Sequence, residues 1–263
     1  MRRLVSWCVL GLWLPGLCFP RQGLAQETAM PETRFDARVF MSPAGGELPY
    51  RLLKPKTVVA GQKYPLVVFL HGAGERGVDN VVQLVHGMTD ISTEAMQLRH
   101  PAYVIAPQCP ADQQWVNTPW TADSHTMPEQ PTAPLRRVLE LITALEQEFP
   151  IDSGRIYATG LSMGGFGAWD LVQRHPERFA GALIVCGGGD AALAPRLKSV
   201  PIWAFHGDKD SVVKVRRSRD MIAAIQAAGG RPIYTEYEGV EHNSWAPTFA
   251  NRAVWDWLFS QSR

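Results

Sequence analysis

The chain has 263 residues, 46% of them hydrophobic, and a formal net charge of +1. That length and composition suit one large globular domain with a core of its own. The near-neutral charge leaves no electrostatic footprint for nucleic acid or an anionic membrane surface, and no charge run or low-complexity tract stands out.

The N-terminus differs from the rest. Arg2 and Arg3 precede the apolar run "LVSWCVLGLWLPGLC", and Gly23 and Ala25 supply small residues before Gln26. This pattern predicts an export signal over residues 1–25 and a mature chain over residues 26–263. The run is shorter than the roughly 20 residues of a membrane span and contains Pro15, so no stable membrane association is expected. A lipoprotein signal would use Cys18, but bulky Leu17 precedes it; the export route stays open, and the destination is periplasmic or extracellular. Cleavage removes Cys8 and Cys18. Cys109 and Cys186 remain, each after a different predicted strand, and are read as buried free thiols although export permits a disulfide. No Cys/His cluster suggests a metal, and no cofactor is expected.

Short apolar runs then alternate with helical patterns. "DARVFMS" and "LPYRLLKP" predict an antiparallel pair with Gly45 and Gly46 in the turn. "PLVVFLHG", "AYVIAPQ", "RIYATGLS", "GALIVCGG" and "PIWAFHG" are continuous apolar runs, as strands buried on both faces should be, and "RPIYTEYEG" is the last strand candidate. Helices are predicted over 134–148, 163–175, 215–228 and 247–260, the third ended by Gly229 and Gly230. The alternation implies an α/β fold: a mostly parallel central sheet with helices on both faces, in a single domain. Residues 108–131 form the one long irregular stretch, which contains Trp115 and Trp120.

One strand-to-helix junction carries chemistry. Gly160-Leu161-Ser162-Met163-Gly164 is a G-x-S-x-G elbow following an apolar strand and opening a helix. The turn is sharp enough to need glycine on either side of Ser162, and the helix start aims unpaired N–H groups at developing negative charge. A Gly-rich turn with an idle serine is the bland alternative. A serine nucleophile needs a histidine base held by an acid, in the chain order Ser, Asp or Glu, His. "HGDKDSVV" offers Asp210, preferred because it lies beyond the turn, and Asp208, which also reads as a turn residue. "GVEHNSW" places His242 in a loop before the last helix, where a lone histidine is otherwise merely solvated. The oxyanion donors expected are the N–H of Met163 and, from "FLHGAGERG", that of Ala73. His71 precedes Ser162 and ends a strand, so it reads as a brace for this loop. Glu75 and Arg76 read as a pair holding the turn or as exposed residues. Trp115, Trp120 and Trp245 are candidates for the wall of an acyl or aryl pocket, a position where rings also serve plain packing.

At these motifs the chain resembles the α/β-hydrolase superfamily, and within it the secreted serine esterases grouped with polyhydroxybutyrate depolymerases, feruloyl esterases and dienelactone-hydrolase-like enzymes. "LHGAGERG", "APQCP", "DSGRIYATGLSMGGFGAWDL", "HGDKDSVV" and "GVEHNSW" carry the resemblance across most of the mature chain. It implies an α/β-hydrolase fold and ester hydrolysis. Dienelactone hydrolases proper use cysteine at the elbow; Ser162 departs from that. Many relatives insert a lid after the sixth strand, whereas residues 186–200 leave no room for a large one.

The expectation is an exported serine carboxylesterase acting on short-chain or aromatic acyl esters, with acylated carbohydrate among its candidate substrates and no nucleic-acid partner. A prolyl-oligopeptidase-type peptidase shares the triad but carries a large additional N-terminal domain. A catalytically inactive binding protein on the same fold would lack a triad position, and all three are present here.

Overall fold

The computed structural model describes residues 33–263; the export signal predicted over 1–25 lies outside them. Eight strands form one sheet: β1 (Asp36–Met41), β2 (Glu47–Leu53), β3 (Tyr64–Leu70), β4 (Tyr103–Pro107), β5 (Ile151–Leu161), β6 (Gly181–Val185), β7 (Ile202–Gly207) and β8 (Ile233–Tyr237). Their spatial order is β1-β2-β4-β3-β5-β6-β7-β8. β1 and β2 join antiparallel, with Gly45 and Gly46 at positive φ in the turn, and from β4 onward every pairing is parallel.

The apolar runs are continuous because the sheet is covered on both sides. Along β3, Tyr64, Leu66, Val68 and Leu70 enter one core while Val67 and Phe69 enter the other. The first core receives α3 (Ala133–Glu148), α4 (Met163–Arg174) and α5 (Arg216–Ala227). The second receives α1 (Met88–Ser92), α2 (Glu94–Arg99), α6 (Trp245–Ala250) and α7 (Arg252–Phe259). This is the α/β-hydrolase arrangement.

Two local differences from the sequence reading have physical causes. The helix expected over 247–260 is two helices, broken at Asn251, whose extended backbone and side-chain carbonyl accepting the Ala253 N–H start α7 afresh. The short helices α1 and α2 escaped prediction because neither is long enough to show a helical period; Thr93 caps α2 by accepting the Met96 N–H. Between β6 and β7 stands a single 3-10 segment, Ala191–Leu197, and no lid. Among the described residues no helix is long and apolar enough to cross a membrane.

Candidate active site

The elbow comes from backbone crowding. Ser162 has φ +52, the left-handed region that L-residues avoid. A Cβ on Gly160 would stand 2.9 Å from the Leu70 carbonyl oxygen, and one on Gly164 would overlap that carbonyl and stand 2.6 Å from the His71 oxygen. Bare backbone at both positions lets β5 turn into α4 against the end of β3. The Ser162 N–H donates to the Val185 carbonyl at 3.0 Å, which fixes the turn to β6.

Three loops converge on the serine. Ser162 Oγ lies 2.9 Å from His242 Nε2, and His242 Nδ1 lies 2.7 Å from Asp210 Oδ2. With a carboxylate on Nδ1, the proton sits there and Nε2 faces the hydroxyl as an acceptor. The other carboxylate oxygen, Oδ1, accepts the N–H groups of Val212 and Val213, both at 2.9 Å. Burial alone would push the Asp210 carboxyl pKa up. The hydrogen bonds from His206 and His242, then that from Val213, outweigh burial and hold it well below the usual range. Asp208 turns away: its Oδ1 accepts the Gly239 N–H at 2.7 Å, tying the acid loop to the histidine loop. Gly207 sits where a side chain would collide with the carbonyls of Val240 and Glu241, so its bareness lets those loops cross.

Met163 opens α4 immediately after Ser162, and first-turn N–H groups lack an intrahelical acceptor. Ala73 begins a 3-10 turn (Ala73–Glu75) whose residues line the same cavity as Ser162 and His242. His71 braces that turn from behind. Its Nδ1–H donates to the Gly72 carbonyl at 2.6 Å and its Nε2 accepts the Cys109 N–H at 2.9 Å. Burial pushes its pKa down to about 4, so it stays neutral near pH 7. Arg76 does not pair with Glu75; it donates to the Ala73 carbonyl at 2.9 Å, while Glu75 Oε1 lies 3.6 Å from His86 Nε2.

The cavity at Ser162 measures about 320 Å³. Trp120, Trp245, Leu161, Val212, Glu75 and His86 wall it. Trp245 stands edge-on to His242, ring centroids 5.2 Å apart. The wall expectation for Trp115 is corrected: it is fully buried, and its Nε1–H donates to the His71 carbonyl at 3.0 Å, so it supports the loop that carries Ala73 from the core. The amides Gln113, Gln114 and Asn117 line a separate depression of about 240 Å³ and not the serine cavity. Two cavities of about 380 Å³ lie at the N-terminal ends of β6 and β7, around Val200 and Pro201, away from these groups.

Cys109 and Cys186 are both buried free thiols. Cys186 Sγ, an Asp210 oxygen and a His242 nitrogen lie within 4.8 Å of one another. Burial pushes the Cys186 thiol pKa far up, and both Asp210 oxygens already accept N–H donors, so this trio is poorly suited to a metal ion. Sequence reasoning passed over Glu75, His86 and Val212 as cavity wall and His206 as a neighbour of Asp210. Only the His206–Asp210 spacing left a trace.

Sheet order, elbow and the sequence Ser–Asp–His along the chain define an α/β-hydrolase of the serine type. A model of the phospholipase/carboxylesterase family matches residues 55–253, and the chain belongs to that family. It is 44% identical to a thermostable esterase of known crystal structure, with a TM-score of 0.81 over 88% of this chain and 64% of that one. A ferulic acid esterase superposes with a TM-score of 0.63 over 86% of this chain and 96% of that one, at 17% identity, a likeness of fold. A stretch of 89 residues is 29% identical to the bifunctional acetylxylan esterase/xylanase of Neocallimastix patriciarum, covering 34% of this chain and 13% of that protein. The chain thus spans less than two thirds of the length of either the thermostable esterase or the bifunctional enzyme.

Proposed function

We propose that the protein is a serine carboxylesterase in which Ser162, His242 and Asp210 are the reacting triad. The observation that carries this reading is the unbroken hydrogen-bond chain from Ser162 Oγ through His242 to Asp210. Ser162 Oγ attacks the ester carbonyl carbon as His242 Nε2 takes its proton. The N–H groups of Met163 and Ala73 hold the oxyanion. His242 then protonates the departing alkoxide, leaving an acyl group on Ser162. Water, giving its proton to the same Nε2, attacks that acyl group, and the acid leaves as Ser162 regains its hydrogen.

The lidless cavity, walled by two tryptophans, supports short-chain or aromatic acyl groups. Glu75 and His86 beside those rings add hydrogen-bonding groups that suit a hydroxylated alcohol, and the partial likeness to an acetylxylan esterase/xylanase supports acylated carbohydrate as one such substrate class. We further propose that residues 1–25 are removed on export and that residues 26–263 form one catalytic domain; N-terminal sequencing of the exported protein tests the cleavage. A fluorophosphonate probe tests the activity class, since an activated serine labels and an idle one does not. Labelling of the wild type that is absent in Ser162→Ala, with hydrolysis of p-nitrophenyl acetate, is the expected result. An unlabelled, inactive wild type overturns the assignment.

A further inference from the structure

β7 brings a second imidazole to the Asp210 carboxylate. His206, the penultimate residue of β7, is wholly buried, as is the Asp210 side chain. His206 Nε2 faces two acceptors, the Val213 carbonyl at 2.9 Å and Asp210 Oδ2 at 3.2 Å. A bare nitrogen lone pair there would repel both, so Nε2 carries a hydrogen. Nδ1 meets the Ser218 hydroxyl of α5 at 2.7 Å. That hydroxyl donates to Nδ1 when the ring is neutral. When the ring is cationic it accepts from Nδ1 and turns its own hydrogen toward the Gly187 carbonyl, 3.4 Å away. In both states the Nε2–H is hydrogen-bonded to the Val213 carbonyl and stands beside the carboxylate, with Nε2 3.2 Å from Asp210 Oδ2.

One oxygen therefore has two imidazole nitrogens beside it: it is hydrogen-bonded to His242 Nδ1 at 2.7 Å, and His206 Nε2 lies 3.2 Å away. A core histidine that merely filled space would be satisfied by Ser218 and Val213. The contact with Asp210 is additional, and it lies on the atom that His242 uses.

We propose that His206 is a positioning residue for the triad: its Nε2 stands 3.2 Å from the same Asp210 Oδ2 that His242 uses, competes with His242 for that oxygen, and holds the carboxylate in the orientation His242 needs. The inference rests on the assignment of Ser162, His242 and Asp210 as the reacting groups. The reason is competition for one acceptor. A carboxylate oxygen already engaged by one N–H stabilises the His242 imidazolium less than a free one would. The sign is the same whether His206 is neutral or charged, because a cation there disfavours a second cation at His242 as well.

The other ionisable groups around the pair are accounted for. Cys186 lies beneath it as a protonated thiol. Glu236 of β8, on the His206 side, is bound by Arg219 at 2.6 Å. Glu75 and His86 share the cavity that His242 lines.

The test is an NMR titration of His242 in isotope-labelled wild type, His206→Asn and His206→Gln. Asparagine places its amide where Nδ1 stands and leaves Asp210 without the donor; glutamine reaches the Nε2 position with an N–H. The His242 midpoint is expected to rise by about half a pH unit or more in His206→Asn and to lie near wild type in His206→Gln. The acid limb of kcat/KM should move with it while KM stays constant. A midpoint unmoved in His206→Asn, or moved equally by both variants, overturns the proposal. The wild type gives a decision of its own should the variants not fold: His206 Nε2 must be protonated throughout, and an Nε2 without hydrogen overturns the idea. If the wild type hydrolyses no ester, the parent assignment fails, while the NMR midpoints still decide the role of His206.

Discussion

Gly164 packs so tightly under the end of β3 that a side chain on it would overlap the Leu70 carbonyl. The obstacle is backbone, which cannot rotate aside. Gly164→Ala should therefore lower stability by at least about 2 kcal/mol and reduce activity beyond that loss, because the shift propagates into the Ser162 turn. Urea unfolding and active-site titration measure the two effects. A variant as stable and active as wild type would mean that the elbow is looser than the contact implies.

Ser162→Ala keeps the fold and removes the reaction. Alanine inherits the strained φ of +52 and gains no relief from it, so the melting temperature should change little. Turnover should fall below about a thousandth of wild type, as expected for loss of a triad nucleophile. Residual activity above that level, with contamination excluded, argues for another nucleophile.

Asp210 and Asp208 separate cleanly. Asp210→Asn removes the acceptor that sets the His242 tautomer and should cost roughly a thousandfold or more in kcat. Asp208→Asn retains a carbonyl oxygen for the Gly239 N–H and should cost less than about tenfold. Steady-state kinetics with p-nitrophenyl acetate decides it; the opposite ranking would reassign the acid.

Acyl-chain preference follows from the cavity. About 320 Å³ holds an acetyl, butyryl or small aryl acyl group beside Ser162, whereas most of a palmitoyl chain would remain in water. Methylenes left in water contribute none of the ~0.8 kcal/mol each that burial supplies. Acetate and butyrate esters should exceed palmitate in kcat/KM by about tenfold or more. No activation is expected at a lipid interface, since the segment between β6 and β7 holds no lid to open. Palmitate as the best substrate, or a jump above the micelle threshold, contradicts both expectations.

His71 links stability to pH. Burial lowers its folded-state pKa to about 4, against 6.5 for an unperturbed histidine. Between those values the unfolded chain binds a proton that the folded chain refuses, so stability is full above pH 6.5 and falls as pH drops toward 4. The loss from this residue is roughly 3 kcal/mol at most. Chemical unfolding across that window should show a steeper slope for wild type than for His71→Gln. Equal slopes would mean that His71 takes its proton in the folded state.

Much of this molecule was determined by the sequence itself because the relevant signals are local. Unbroken apolar runs such as "PLVVFL" announce strands covered on both faces. The glycines flanking Ser162 announce a turn that only bare backbone can make. The order of Ser162, Asp210 and His242 along the chain agrees with that turn. Tertiary structure alone decided matters that depend on where a side chain points across distant segments. Asp208 and Asp210 are two residues apart, and only the crossing of the β7 and β8 loops turns one to Gly239 and the other to His242. Trp115 and Trp120 share one irregular segment, yet the first is drawn into the core by the His71 carbonyl while the second borders the serine cavity. His206 shows no period, motif or charge pattern of its own as a neighbour of the reacting groups. Its 3.2 Å approach to Asp210 exists because the acid turn folds back over the end of β7, and a four-residue spacing by itself does not reveal that turn.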